Sequence, residues 1–171
     1  MTHEEAVDFL RNGVESERGI WLDLGAGSGV FSKALAELLP SQSTVYAIDK
    51  EGSVMNVSSS RNEIIPLQSD FENLPELPKF DGILMANALH YIALPVPFLQ
   101  NLLKSLRPNG SFLMIEYDME EANPWVPFPI PFQKWRKICS EVGLTKPEIF
   151  NERISRYRRG TIYAASSKLE S

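Results

Sequence analysis

The segment Asp23-Leu24-Gly25-Ala26-Gly27-Ser28-Gly29 sets three glycines at alternate positions. Glycine accepts backbone conformations that other residues resist, so such a run turns tightly and brings its N–H groups close to a ligand. A plain tight connection needs fewer glycines, which makes a binding turn the better reading. The spacing is G-x-G-x-G; a dinucleotide fingerprint puts a small third residue where this chain has Val30, and that weighs against a nicotinamide-dependent oxidoreductase.

Two aspartates extend the constellation. Asp49 closes the apolar stretch Thr44 to Ile48, where a carboxylate can accept hydrogen bonds from both hydroxyls of a ribose, and Lys50 follows it directly. Asp70 follows the stretch Ile64 to Leu67; it can accept from an exocyclic adenine amine while Phe71 offers its N–H or its ring. Each aspartate alone reads equally well as a turn or capping residue. Together with the glycines they fall at three successive strand ends, the place where open α/β sheets bind ligands.

The elements that must hold these residues follow from apolar periodicity. Thr2 with Glu5 forms a capping-box pattern before Ala6, Val7, Leu10 and Val14, so residues 1–18 carry an opening helix. Ile20 to Leu24 is of strand length, and Val30, Phe31, Ala34, Leu35, Leu38 and Leu39 recur on one helical face up to Pro40. A second strand at Thr44 to Ile48 leads into a Ser-rich stretch assigned as a helix, and a third strand spans Ile64 to Leu67. Phe80 to Ala86 is a fourth strand. Beyond Pro95 and Pro97, taken as breakers, a helix runs from Phe98 to Leu106, and the turn Arg107-Pro108-Asn109-Gly110 precedes a fifth strand at Ser111 to Tyr117. Residues 118–133, rich in Pro and aromatics, can be neither helix nor inner strand and read as a lid loop. Trp135, Ile138, Cys139 and Val142 mark a helix closed by Gly143, and Pro147 to Lys168 gives two more strands. Strands alternating with helices predict a doubly wound, mostly parallel α/β sheet with helices on both faces, in one domain over 1–171.

Composition narrows the function. The chain is 43% hydrophobic and 23% charged, an ordinary globular balance. It contains no apolar run of spanning length and no signal-peptide pattern at its start, so a cytoplasmic protein is expected. A net charge of −5 argues against nucleic acid as partner, leaving RNA open. Arg153, Arg156, Arg158 and Arg159 are read as a solvated strand edge, with contact to an anionic substrate as the alternative. With Cys139 the only cysteine and only His3 and His90 as imidazoles, neither a disulfide nor a zinc set is expected. Cys139 reads as core rather than nucleophile.

These motifs resemble those of the class I S-adenosylmethionine-dependent methyltransferases, and the resemblance runs from Trp21 through Ala165. It rests on Leu22-Asp-Leu-Gly-Ala-Gly-Ser-Gly29, on Asp49 in Val-Tyr-Ala-Ile-Asp, on Ser69-Asp70-Phe71, on Phe80-Asp-Gly-Ile-Leu-Met-Ala-Asn-Ala-Leu-His-Tyr91, and on Leu106-Arg-Pro-Asn-Gly110. It implies S-adenosyl-L-methionine as cofactor. Asp23 and the turn Gly25, Ala26, Gly27, Ser28 and Gly29 would then pack on its methionine moiety, Asp49 and Lys50 would lie at the ribose, Asp70 and Phe71 at the adenine, and Asn87 beside the methyl group. It also implies a seven-stranded sheet whose last strand, Gly160 to Ser166, is antiparallel. The fourth strand ends in Asn-Ala-Leu-His rather than Asn/Asp-Pro-Pro-Tyr/Phe, which disfavours DNA adenine methylation; Asn123-Pro124-Trp125 has a similar look but follows the fifth strand.

The acceptor is expected to be a small molecule. A sulfonium methyl needs alignment and exclusion of water more than activation, and no metal is required. Where the acceptor is a hydroxyl or an acidic carbon a base is needed, and His90 is the candidate, with a loop-scaffold role as its alternative. Tyr91, Asp118, Trp125 and Phe128 complete the acceptor side; Asp118 could instead cap a helix, and Trp125 and Phe128 could instead plug the sheet end. The segment before Leu22 is short, so the lid or a partner must cover the pocket. A catalytically silent cofactor-binding domain, a partner subunit and a homodimer stay open.

Overall fold

A computed structural model describes residues 1–15, 17–156 and 160–171. Its frame is one sheet of seven strands: β1 Ile20–Leu24, β2 Thr44–Asp49, β3 Glu63–Gln68, β4 Phe80–Ala86, β5 Leu106–Asp118, β6 Glu148–Ile154 and β7 Thr161–Lys168, in the order β3-β2-β1-β4-β5-β7-β6. Strands β1 to β5 are mutually parallel, and β7 runs antiparallel between β5 and β6. The doubly wound reading and the antiparallel last strand both hold. Parallel pairing places the carboxyl ends of β1 to β4 along one edge, so Leu24, Asp49, Gln68 and Ala86 all finish there.

Four α-helices cover the sheet, two to a face. Helices α1 (His3–Leu10) and α2 (Val30–Leu38) bury Ala6, Val7, Leu10, Ala34 and Leu35 against Trp21, Val45, Leu84, Leu113 and Ile115. Helices α3 (Pro95–Leu102) and α4 (Phe132–Val142) bury Leu99, Leu102, Trp135, Ile138 and Cys139 against Leu22, Ile83, Met85, Phe112, Met114 and Tyr163. Neighbouring residues of a strand thus serve opposite faces, the period-2 alternation of a sheet buried on both sides. The Thr2 and Glu5 capping box is present at α1, and Gly143, at φ +83°, closes α4 in the left-handed region.

Several expectations are corrected. The Ser-rich stretch after β2 forms only a 3₁₀ turn at Gly52–Asn56, because its two buried apolar side chains, Val54 and Val57, give too narrow an apolar face to dock a helix. Pro95 and Pro97 do not precede α3; they sit in its first turn, where N–H groups have no intrahelical partner to lose. The helix stops at Leu102 and passes through a 3₁₀ turn, so Leu106 already pairs with Phe80 and the Arg107 to Gly110 segment bulges within β5. Pro66 stands inside β3, which the sheet tolerates because β3 is an edge. In the basic cluster, Arg153 on the edge strand β6 and Arg156 just beyond its end pair with Glu5 of α1; Arg158 and Arg159 lie outside the described residues. Cys139 is fully buried in the core, and burial pushes its thiol up to about 12, which removes it as a nucleophile. No helix among the described residues is long and apolar enough to cross a membrane.

Candidate functional site

The glycine turn leaves β1 and enters α2 with Gly25, Gly27 and Gly29 at φ +84°, +54° and +81°. At Gly25 a Cβ would come within 2.5 Å of the Ala88 Cβ and 3.1 Å of the Phe71 ring, so this position holds glycine by conformation and by contact. The turn is tied to β2. Gly25 and Ala26 donate to the Ile48 carbonyl at 2.8 and 3.0 Å, and Gly27 donates to Asp49 Oδ2 at 2.8 Å. These N–H groups are therefore engaged within the protein, contrary to the expectation that they face a ligand. What the turn offers instead is a bare backbone wall.

Two cavities share that wall. The larger, about 710 Å³, is lined by Gly25, Gly27, Asp49, Lys50, Asp70, Phe71, Asn87, Ala88, Tyr91 and Ile92 among others, and so gathers the ends of β1, β2, β3 and β4. The smaller, about 330 Å³, is lined by Asp23, Gly25, Ala26, Gly27, Ser28 and Asn87 with their neighbours. Gly25, Gly27 and Asn87 border both. At Gly27 a Cβ would meet nothing within 4 Å, so the missing side chain leaves open room between them.

The carboxylates that line these cavities are held by backbone donors. Asp49 Oδ1 accepts from the Glu51 N–H at 2.8 Å and Oδ2 from Gly27; two carboxylate oxygens carry about four lone-pair sites, which leaves capacity for a ligand hydroxyl. Asp70 caps the 3₁₀ turn Phe71–Asn73 through a 3.2 Å bond from the Glu72 N–H, so its capping role and its place on the cavity wall coexist. Asp23 is fully buried. Ser32 Oγ donates to its Oδ2 at 2.5 Å, Oδ1 has no partner, and burial, with the nearby Asp49 charge adding to it, raises the carboxyl to about 7 against the lowering effect of Ser32. Asn87 adopts φ +52°, its N–H donates to the Ile115 carbonyl at 2.8 Å, and its Oδ1 is likewise buried without a partner.

On the acceptor side the residues divide. His90 lies in the 3₁₀ turn Leu89–Tyr91 and is 2% exposed. Its Nδ1 is 2.8 Å from Oε2 of Glu116, its backbone N–H donates to Glu116 Oε1 at 3.2 Å, and its carbonyl accepts from the Phe128 N–H at 3.0 Å. The Tyr91 ring packs on it at 4.3 Å between centroids and remains 55% exposed. Trp125 and Phe128 are also exposed, at 69% and 39%, so neither plugs the sheet end as core. Asp118 takes the capping alternative, its Oδ1 accepting from the Phe132 N–H at 2.9 Å at the start of α4; like His90, Trp125 and Phe128 it borders neither cavity, and of the acceptor-side residues Tyr91 lines the larger one. Glu116 was not singled out by sequence. The signal was a single carboxylate inside the apolar run Ser111-Phe-Leu-Met-Ile-Glu-Tyr117, where a fully buried acid demands a partner.

The family profile described as methyltransferase domain matches residues 16–165. No curated protein matches the sequence. Among solved structures, a SAM-dependent methyltransferase from Aquifex aeolicus is 20% identical, with 96% of this chain and 89% of that chain covered at a TM-score of 0.72. The Burkholderia thailandensis 1,6-didemethyltoxoflavin-N1-methyltransferase, solved with 1,6-didemethyltoxoflavin and S-adenosylhomocysteine, is 16% identical over 99% of this chain and 78% of that one, at a TM-score of 0.73. A SAM-dependent methyltransferase from Methanosarcina mazei is 12% identical over 92% and 95%, at 0.69. The matched profile spans β1 to β6 and every cavity-lining residue but Met1, so the chain belongs to the methyltransferase domain family, and its sheet is the Rossmann-like sheet of the class I S-adenosylmethionine-dependent methyltransferases.

Proposed function

We propose that this chain binds S-adenosyl-L-methionine and transfers its methyl group to a small-molecule acceptor. The observation that carries the reading is the pair of cavities joined at Gly25, Gly27 and Asn87, one walled by the carboxylates Asp49 and Asp70 and the other by Asp23. The residues present fit such a ligand. Two buried acceptor oxygens, Asp23 Oδ1 and Asn87 Oδ1, lack partners on residues that line the smaller cavity, which suits a group rich in N–H donors such as an amino-acid ammonium. The larger cavity lies within the range that holds small organic ligands, about 300–1,000 Å³, and its wall offers Asp49 to ribose hydroxyls and Asp70 with Phe71 to adenine.

When bound, the cofactor supplies a methyl group on a sulfonium, already activated for transfer. The chain's share of the work is placement and proton handling. Asn87 and Ala88 follow β4 on the cavity wall and lead into the turn that carries His90, whose ring packs behind Tyr91, a residue of the cavity wall. His90 serves as the base for the acceptor, with Tyr91, Trp125 and Phe128 offering aromatic surface around it. The Burkholderia neighbour, solved with S-adenosylhomocysteine, acts by its name on 1,6-didemethyltoxoflavin, which supports a small acceptor here.

Isothermal calorimetry with S-adenosylhomocysteine tests the reading. The native chain is expected to bind, and Asp49→Ala to lose roughly 10- to 100-fold in affinity, about 1.4–2.7 kcal/mol, while remaining folded. Absence of heat with the native protein would remove the proposal.

A further inference from the structure

Glu116 belongs to no expected motif, yet it is fully buried, its two oxygens receive the backbone N–H groups of His90 at 3.2 Å and Tyr117 at 3.3 Å, and its Oε2 lies 2.8 Å from His90 Nδ1. Acceptance on both oxygens is the pattern of a carboxylate, which has no proton to give. A neutral imidazole beside it must then carry its proton on Nδ1, and the lone pair is left on Nε2. No group among the described residues bonds Nε2, and that nitrogen is not one of the sealed polar atoms without a partner. The backbone bond from the same carboxylate also fixes the turn that carries the ring. The hold is double: Glu116 sets both where His90 sits and which nitrogen is basic.

From this we infer that Glu116 is a positioning residue that keeps His90 Nε2 as a proton acceptor, and that the methyl acceptor therefore carries a proton that must leave, as a hydroxyl or an acidic carbon does. The inference rests on the methyltransferase reading above and narrows its acceptor class. Sulfides and tertiary amines, which have no such proton, have no need of this arrangement. In the step, the acceptor's proton passes to Nε2 and its freed electron pair forms the bond to the methyl carbon as the carbon–sulfur bond breaks, leaving S-adenosylhomocysteine. The imidazolium, with both nitrogens protonated, gains a charge-assisted bond to Glu116 and afterwards returns the proton to water. Leucine at position 116 would remove this bias. With no acceptor beside Nδ1, the ring falls back on the Nε2–H form that a free neutral imidazole favours.

The sequence holds only two histidines, His3 and His90, which makes the ring directly observable. The full chain labelled with ¹⁵N-histidine, in a His3→Gln background and saturated with S-adenosylhomocysteine, is examined by long-range ¹H–¹⁵N NMR at pH 8. The expected result is a protonated Nδ1 and an unprotonated Nε2 in the otherwise native chain. In Glu116→Leu the Nε2–H tautomer is expected to dominate, with affinity for S-adenosylhomocysteine by calorimetry unchanged within twofold. A native chain with its proton on Nε2 overturns the inference even if the Leu variant cannot be made. So does a Leu variant that folds and keeps the native tautomer. Failure of the native chain to bind S-adenosylhomocysteine sinks the cofactor reading instead, and the tautomer measured without ligand still decides the role of Glu116.

Discussion

A carboxyl that water cannot reach and that has one hydroxyl donor keeps its proton longer than one in solvent. Asp23 is in that position: burial raises it from an ordinary 3.8 to about 7, reinforced by Asp49 and opposed by Ser32. A raised acid binds more protons folded than unfolded, so its contribution to stability is complete below pH 4 and is lost as pH climbs through 7. Asp23→Asn keeps the shape and removes the titration. Its Tm is expected to match the native value near pH 4 and to exceed it increasingly up to pH 8, by at most about 4 kcal/mol in stability. Thermal melts of both proteins across that range check the expectation, and parallel curves would show that Asp23 is already ionised at low pH. Such a cost above pH 4 is what the proposed ligand role of Asp23 entails, since a group serving only the fold would gain from being an amide.

At the scale of elements, side chains that close one element onto another were the least legible. Asp118 at the end of β5 holds the first N–H of α4, 14 positions later in the chain, a pairing that no local spacing reveals. Asp118→Ala is expected to lower stability by about 1 kcal/mol in urea unfolding, the usual worth of such a cap, with affinity for S-adenosylhomocysteine unaltered. A loss of affinity without loss of stability would return Asp118 to the acceptor side. By contrast β1 and β4 were readable because strands buried on both faces appear as near-continuous apolar runs, broken here only by Asp23 and by Asp81-Gly82, and the glycine turn because glycine meets its three positive φ values most readily. The start of α3 was missed because proline was weighed as a breaker and not as a first-turn residue. Glu116 was missed because its partner, His90, comes from another strand end, 26 residues earlier.

The whole molecule is unevenly covered. Four α-helices shield the middle of the sheet, but the connections on either side of β3 contain only short 3₁₀ turns, and every residue of β3 keeps some exposure at the outer edge. Local stability follows buried apolar contact, so β3 is expected to open more readily than β1 or β4, which lie inside. The carboxylates proposed for the ribose and the adenine, Asp49 and Asp70, flank precisely this strand in sequence, so the ligand would clamp the part of the sheet that the fold covers least. At a concentration 100 times its dissociation constant a ligand adds about 2.7 kcal/mol to stability, or a rise of roughly 5–11 °C in Tm for a chain of this size. In amide exchange of the free protein, Ile64, Ile65 and Leu67 are expected to exchange faster than Ile83 and Leu84, and S-adenosylhomocysteine to slow them by a larger factor than any residue of β6, which lies at the far edge. Equal slowing across the sheet would mean that the ligand stabilises only against global unfolding; no slowing at β3 would mean that Asp49 and Asp70 do not hold one ligand between them.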